Sequence, residues 1–347
     1  MKTKIFEAAV VVLLFLLASC GTPRVLFPIF EKGKAGYADA SGHVVIPAIF
    51  EQTGAFSENR GLIRQNGLAG YIDASGKIVI SPVYELAGKF SENLAFVSKG
   101  GKVGYINPSG KVVIPLQYQY ATDFSEGLAA VVVGGKFGYI DTSGKTVVPP
   151  QYALGSPFSE GLAVVVDDDH LGGYIDKTGK VVIPLQYESA TPFKEGKAMV
   201  QKDGKAFFID KTEKRLFNTQ FDYAEPFSDG LALVNQQNKY GFIDDKGKAA
   251  IPSQLAFARS FKEGFAVAAQ EDGGKVGFMN TKGEFVIQPQ FDIASDFTNG
   301  LAAVVQGNKT GYVNTQGKVV WSQDQSELPT VGDSGLPQGN DTESANP

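Results

Sequence analysis

The chain alternates short apolar runs with glycine-punctuated polar breaks over most of its length. The stretch "SEGLAAVVVGGKFGYIDTSGKTVVP", residues 125–149, shows the pattern. Leu128 to Val133 is apolar and ends in β-branched residues, Phe137 to Asp141 is a second run, and Thr146 to Val148 is a third. Runs this short, separated by glycine-containing breaks, are strand and turn signals. No stretch carries the 3.6-residue stripe of an amphipathic helix. The breaks have turn chemistry of their own. Gly134-Gly135-Lys136 suits a tight hairpin. In "DTSGK", Asp141 can accept backbone N–H bonds and Gly144 can take the positive φ that closes the turn. The pattern therefore predicts three strands in an antiparallel meander.

The meander is repeated. A Gly-aromatic pair marks each copy: Gly36-Tyr37, Gly70-Tyr71, Gly104-Tyr105, Gly138-Tyr139, Gly173-Tyr174, Gly241-Phe242, Gly277-Phe278 and Gly311-Tyr312. A ninth copy, Phe207-Phe208, keeps the aromatic without the glycine. The spacing stays between 34 and 36 residues, so the chain is a repeat array. In the second copy, Gly70, Tyr71, Asp73 and Gly76 hold the structural positions of the unit. A glycine in a strand lets an aromatic from the next strand lie across its backbone, and that is the expected use of Gly70.

Two aromatic columns recur in the linkers. One runs through Phe90, Phe124 and Phe158, the other through Tyr84, Tyr118 and Tyr152. A ring that recurs in every unit belongs where units stack. Burying one contributes roughly 1.5–3 kcal/mol, whereas ordering a unit costs about 1.5 kcal/mol per residue, so a single unit cannot stand alone. The expected fold is all-β: nine units of ~34 residues, three strands each, stacked as an open superhelix or solenoid, with a closed propeller-like toroid as the alternative.

The ends are different. "MKTKIFEAAVVVLLFLLASC" has a positive start and an apolar run from Ala8 to Ala18. That run is too short to span a bilayer and fits a secretory signal. Leu17-Ala18-Ser19-Cys20 resembles the lipobox of bacterial lipoproteins, which implies lipidation of Cys20 and cleavage before it. An ordinary signal peptide with a chance cysteine is the alternative. Gly21 leans toward the outer membrane. The expected division is a signal peptide over 1–19, a repeat domain over 20–321 and a polar, disordered tail over 322–347.

Composition narrows the chemistry. The net charge is −5 and no Lys/Arg cluster stands out, which gives nucleic-acid binding no electrostatic support. One cysteine and two histidines, His43 and His170, leave no disulfide framework and too few ligands for a Cys/His zinc site. The recurring Asp and Glu columns read as turn residues, since an enzyme breaks repeat symmetry at its site. Three exceptions break it here. "VDDDHLGGY" gathers Asp167, Asp168 and Asp169, weak candidates for a Ca²⁺ site and more simply a solvated acidic turn. The sixth unit replaces the turn glycine with Glu213 and the proline with Asn218. The eighth carries two extra residues in "EDGGKVGF", read as a longer loop.

The "K-x-G-Y-I-D-x-x-G-K-x-V-I-P" core and the "F-S-E-G-L-A-x-V" strand, over roughly residues 24–321, resemble the WG (KWG) repeats of bacterial proteins. The residue before the marker glycine is never Trp here. The resemblance implies an all-β repeat array and no particular activity. The expected role is a lipid-anchored cell-envelope protein whose array is a binding scaffold for a macromolecule, protein first and glycan next. No enzymatic activity and no cofactor are expected. The competing expectation is a passive spacer. A binder would expose one face rich in aromatics or charge, whereas a spacer would not.

Overall fold

The computed structural model describes residues 25–324, all of them in strands, turns and connections. The expected signal peptide, Cys20 and the chain beyond residue 324 lie outside the described residues. Nine small antiparallel sheets follow one another along the chain and form a nine-bladed β-propeller. Blade 3, residues 86–118, is representative. Its strands are Leu86–Ala87, Ala95–Lys99, Lys102–Ile106 and Val112–Tyr118, hydrogen-bonded in that order.

The three-stranded unit needs correction. Eight blades carry an extra strand in front, only two residues long in seven of them, and blade 6 keeps it but loses the last strand. Blades 1 and 6 have three strands. The extra strand lies in the linker, directly after the Tyr84/Tyr118 column. Two residues are too few to show alternation, so the pattern could not reveal it.

Gly70 also has a different reason from the expected one. No ring lies over it. A Cβ there would sit 2.6 Å from the Ile80 carbonyl oxygen and 2.7 Å from the Pro82 nitrogen. The neighbouring strand bulges at this point, with register shifts between Ala69, Tyr71 and Ile72, and its backbone crosses the space a side chain would need. That neighbour is an edge strand and carries Pro47, Pro82, Pro115, Pro149 and Pro184 in blades 1 to 5 and Pro252 in blade 7. Proline removes a donor from the free edge, which discourages pairing with another sheet. In blade 6, where Asn218 replaces it, the edge segment bows out of the ladder. The Arg215 guanidinium bonds the freed carbonyls of Phe217 and Asn218.

The core lies between blades rather than inside them. Phe124 is 1% exposed and packs with Tyr105, Ile114 and Tyr118 of blade 3 and Val131 and Ile140 of its own blade 4, residues 120–152. Phe158 sits in the same way between blades 4 and 5. Each marker aromatic meets the Phe of the next blade: Tyr71–Phe90 at 4.9 Å, Tyr105–Phe124 at 4.8 Å, Tyr139–Phe158 at 5.0 Å, and so on to Phe278–Phe297 at 4.6 Å. Tilted or edge-on pairs at this range suit the ring quadrupoles.

The last blade meets the first, so the array closes. Tyr312 of blade 9 lies 5.7 Å from Phe27 of blade 1. Outside blade 6, where Glu213 replaces it, the turn glycine rests on the blade before it, as Gly76 does on Ile46 and Gly144 on Ile114. Gly42 of blade 1 rests on Val320 of blade 9, so tightly that a Cβ would collide with the Val320 carbonyl. The closed toroid therefore replaces the open solenoid. The final strand, Val319–Asp324, runs three residues past the expected end of the domain.

Candidate functional site

The meander sorts the loops onto two faces. In blade 3 the second strand leaves the "FSEN" turn and ends at the Gly100-Gly101 hairpin, and the third returns to the "NPSGK" turn. One face thus carries both turn types, and the other carries the hairpins and the blade-to-blade crossings.

The turn face accounts for the two carboxylate columns. Asp73 accepts the backbone N–H groups of Ser75 and Lys77 and the Ser75 hydroxyl. The Ser75 hydroxyl bond leads the contacts that hold its carboxyl below the ordinary Asp range. Asp141, Asp176 and Asp210 repeat the arrangement, and Asn107 replaces it in blade 3 without loss of a bond. Gly76, at φ +87°, closes the turn as its position required.

The glutamates do something the sequence did not reveal. Glu92, Glu126, Glu160 and Glu195 all sit at φ between +52° and +55°, a left-handed conformation that disfavours a long side chain. Each reaches the glycine amide of the next blade's turn: Glu92 to Gly127, Glu126 to Gly161, Glu160 to Gly196 and Glu195 to Gly230, at 2.9–3.2 Å for the shorter contact. Serine hydroxyls add a second rung, with Ser91 donating to the Phe124 carbonyl and Ser125 to that of Phe158. The strained glutamate is a clasp between blades. The missed signal was its identity: an Asn would suit the turn better, so a repeated Glu has to have a partner elsewhere.

The acidic hairpin of blade 5 does not assemble as a metal site. Asp167 accepts the N–H groups of Asp169 and Leu171, and Asp168 pairs with Lys136 of blade 4. Among the described residues no cluster of His, Cys, Asp and Glu could hold a metal ion. His43 and His170 are exposed turn residues, His170 at φ +61°.

Large apolar side chains are left exposed in two places: at the starts of the edge strands, as Val44, Ile78, Val112, Val181 and Val319, and on the hairpin face. In five of the seven two-residue strands the first residue is a large, exposed apolar one: Tyr120 is 47% exposed, Leu154 56%, Tyr223 41%, Phe257 41% and Ile293 64%. Their partner in each strand, an Ala or Gly, turns inward. The exposed residues stand on one face in blades 4, 5, 7, 8 and 9, and blade 6 has Ser189 at the position. Between blade 8, residues 257–291, and blade 9, residues 293–324, these residues border a cleft of about 470 Å³ lined by Phe257, Val267, Ala269, Val276 and Ile293, with Glu271, Asp272, Asp292 and Arg259 among its polar groups. The sequence signal was a large apolar residue just before the small residue of the linker, aromatic at Tyr120, Tyr223 and Phe257 and aliphatic at Leu154 and Ile293.

Sequence comparison then places the chain. The WG containing repeat matches eight successive stretches: 36–68, 70–102, 104–137, 137–169, 173–205, 207–240, 240–273 and 277–309. The chain belongs to the WG-repeat family. Each matched stretch starts in the strand that carries the marker aromatic of one blade and ends near the hairpin of the next, so eight stretches reach across nine WG-repeat blades. None of the curated proteins compared matches this WG-repeat chain. Among solved structures, the crystal structure of a eukaryotic initiation factor is similar at 12% identity, with a TM-score of 0.63, over 87% of this chain and 96% of that one. BamB from Moraxella catarrhalis is 13% identical, with a TM-score of 0.46, over 77% and 94%. The computationally designed Ika8 protein is 14% identical, with a TM-score of 0.46, over 76% and 93%. At these identities the first likeness speaks for the WG-repeat fold alone.

Proposed function

We propose that this WG-repeat protein is a lipid-anchored cell-envelope scaffold that binds another macromolecule, a protein foremost, through its hairpin face. The row of exposed apolar side chains from Tyr120 to Ile293 carries this reading. Large apolar residues exposed in series mark interaction surfaces, and a spacer has no use for them. Aromatic residues also suit interface cores, which are enriched in Tyr and Phe.

The address rests on the lipobox-like "LASC". Lipidation at Cys20 would keep Val25 within at most about 18 Å of the anchor, at ~3.6 Å per residue. The first strand, Leu26–Glu31, starts on the turn face. An anchor at Cys20 therefore holds the turn face toward the membrane and leaves the hairpin face outward. The reading is non-enzymatic, because the carboxylate columns are taken up by turn and clasp bonds.

The test is a pull-down. Residues 21–347, without lipid, are immobilised and challenged with detergent-solubilised envelope proteins and with cell-wall fragments. We expect a saturable, stoichiometric protein partner, lost when Tyr120, Leu154 and Phe257 are changed to Ser. Clean absence from both pools, with a folded bait, overturns the scaffold in favour of the spacer. Normal membrane fractionation of Cys20→Ser overturns the anchor.

A further inference from the structure

We propose that the cleft between blades 8 and 9 receives a large apolar side chain from an extended segment of a partner protein, flanked in that segment by Lys or Arg. The proposal rests on the scaffold reading above and gives it a pocket and a chemistry.

Two departures from the repeat coincide at this place. The first is the position paired with the exposed residue of the short strand. It holds Arg64, Ser98, Val132, Val166, Gln201, Asn235 and Val305 in other blades, but Ala269 in blade 8. The smallest side chain of the column thus stands in the lining of the cleft, opposite Phe257. The second is the two-residue insertion. In blade 4 the hairpin ladder continues to Val133↔Lys136, whereas in blade 8 it stops at Ala268↔Gly277. Glu271 to Gly274 therefore leave the ladder and close a turn of their own, the Gly274 N–H donating to the Glu271 carbonyl, and that turn walls the cleft.

The floor is the inter-blade core itself. Val267, Ala269, Val276 and Ala294 belong to the buried cluster shared by blades 8 and 9. Phe257 and Ile293 flank the mouth and are both well exposed. A side chain of Phe or Leu size inserted between them extends a packed core rather than resting on a flat surface. Inserted aromatic and aliphatic anchors of this kind dominate interface energies.

Charge selects the flanking residues. Arg259 is met by Asp296 at 3.5 Å, and Asp292 is paired with Lys275. Asp272 has Lys239 at 3.8 Å. Glu271, on the exposed wall, is left to meet an incoming cation. A basic neighbour on the partner segment gains from that wall, and an acidic one is repelled.

The test uses two blocked pentapeptides, Gly-Lys-Phe-Lys-Gly and Gly-Glu-Phe-Glu-Gly, titrated into methyl-labelled protein of residues 21–347 and read by NMR. The basic peptide is expected to shift the methyl signals of Val267, Ala269, Val276 and Ile293. The acidic peptide should bind more weakly. Glu271→Lys, on an exposed loop that does not threaten folding, should weaken the basic peptide about five-fold, the scale of about 1 kcal/mol for a surface charge reversal. Ala269→Leu should abolish the shifts by filling the cleft. Equal shifts from both peptides, shifts confined to other blades, no shift at millimolar peptide, or shifts from an N-acetylglucosamine oligomer instead would each overturn the proposal. The pull-down separates the two readings. A partner still captured by Ala269→Leu and Glu271→Lys removes the cleft and leaves the scaffold standing.

Discussion

The interface between blades 3 and 4 and the seam between blades 9 and 1 solve one packing problem with different residues. At the ordinary interface Tyr105 meets Phe124 from the "FSEG" turn, donates a hydrogen bond to the Thr122 carbonyl, and is backed by the Glu92 clasp. At the seam the described part of blade 1 starts at residue 25, without an "FSEG" turn. Phe27 fills the gap instead. It stands at the repeat position of Gly61, and a side chain on Gly61 would run into the Phe56 ring. The same volume is therefore filled from the other side. The clasp ends consistently: blade 9 carries Asn299 where the others carry Glu or Asp, and blade 1 offers no matching turn amide among the described residues. Packing volume is enforced around the whole ring, and hydrogen-bonded clasps only where a partner exists.

The comparison can be broken most sharply by removing its rings. Phe124→Ala should cost about 3–5 kcal/mol in chemical denaturation, the usual range for a buried Phe. Phe27→Ala should cost nearly as much, because closure buries it against Tyr312. A loss below about 1 kcal/mol at Phe27 would mean the ring is open in solution.

Glycine substitutions sharpen the seam next. Gly127 and Gly42 both have positive φ, +87° and +85°, so Ala costs at least about 1 kcal/mol at either. Gly127 faces open space, whereas Gly42 abuts the Val320 backbone. Thermal melts should show Gly42→Ala to be at least twice as destabilising. Equal effects would count against the seam.

Alkaline pH separates blades 1–5 from blades 6–8. Burial raises the phenol pKa of Tyr37, Tyr71, Tyr105, Tyr139 and Tyr174, and Phe replaces them in blades 6–8. A group whose folded pKa is raised contributes stability that is complete below the unfolded value, about 10, and is lost as pH climbs through the folded value. Stability should therefore fall above pH ~10, and Tyr71→Phe should blunt that fall. An unchanged alkaline limb would place the Tyr71 hydroxyl in water.

The clasp predicts a smaller difference. Glu126→Gly keeps the left-handed turn but loses the bond to Gly161, so about 1 kcal/mol should be lost. Asn299→Gly should stay within about 0.5 kcal/mol. The smallest effect belongs to Asp141→Asn, also within about 0.5 kcal/mol near neutral pH, since Asn107 makes the same bonds. Its carboxyl is held low, chiefly by Ser143, so whatever it contributes is present above the ordinary Asp range and fades as pH falls through the folded value.

Much of the fold was legible because strand, turn and repeat signals are local. Leu128 to Val133, the "DTSGK" turn and the recurring Phe124 position each announce themselves within a few residues. The candidate surface was less legible. Tyr120 and Phe124 look alike in sequence, yet one is 47% exposed and the other 1%. Only the strand pairing Tyr120↔Val132 turns the first outward.

The sequence by itself determined nine repeated units, their antiparallel meander, the turn role of the Asp column and the mixed apolar character of the linkers. All of these follow from residue spacing and turn chemistry. The tertiary structure decided the closure of the ring, the Phe27 substitution, the reach of each glutamate into the next blade and the opening of the cleft at Ala269. The physical reason is range. Each of these depends on the angle and distance between blades, which side-chain volumes set through packing across the interface, and no window of the sequence contains both sides of that contact.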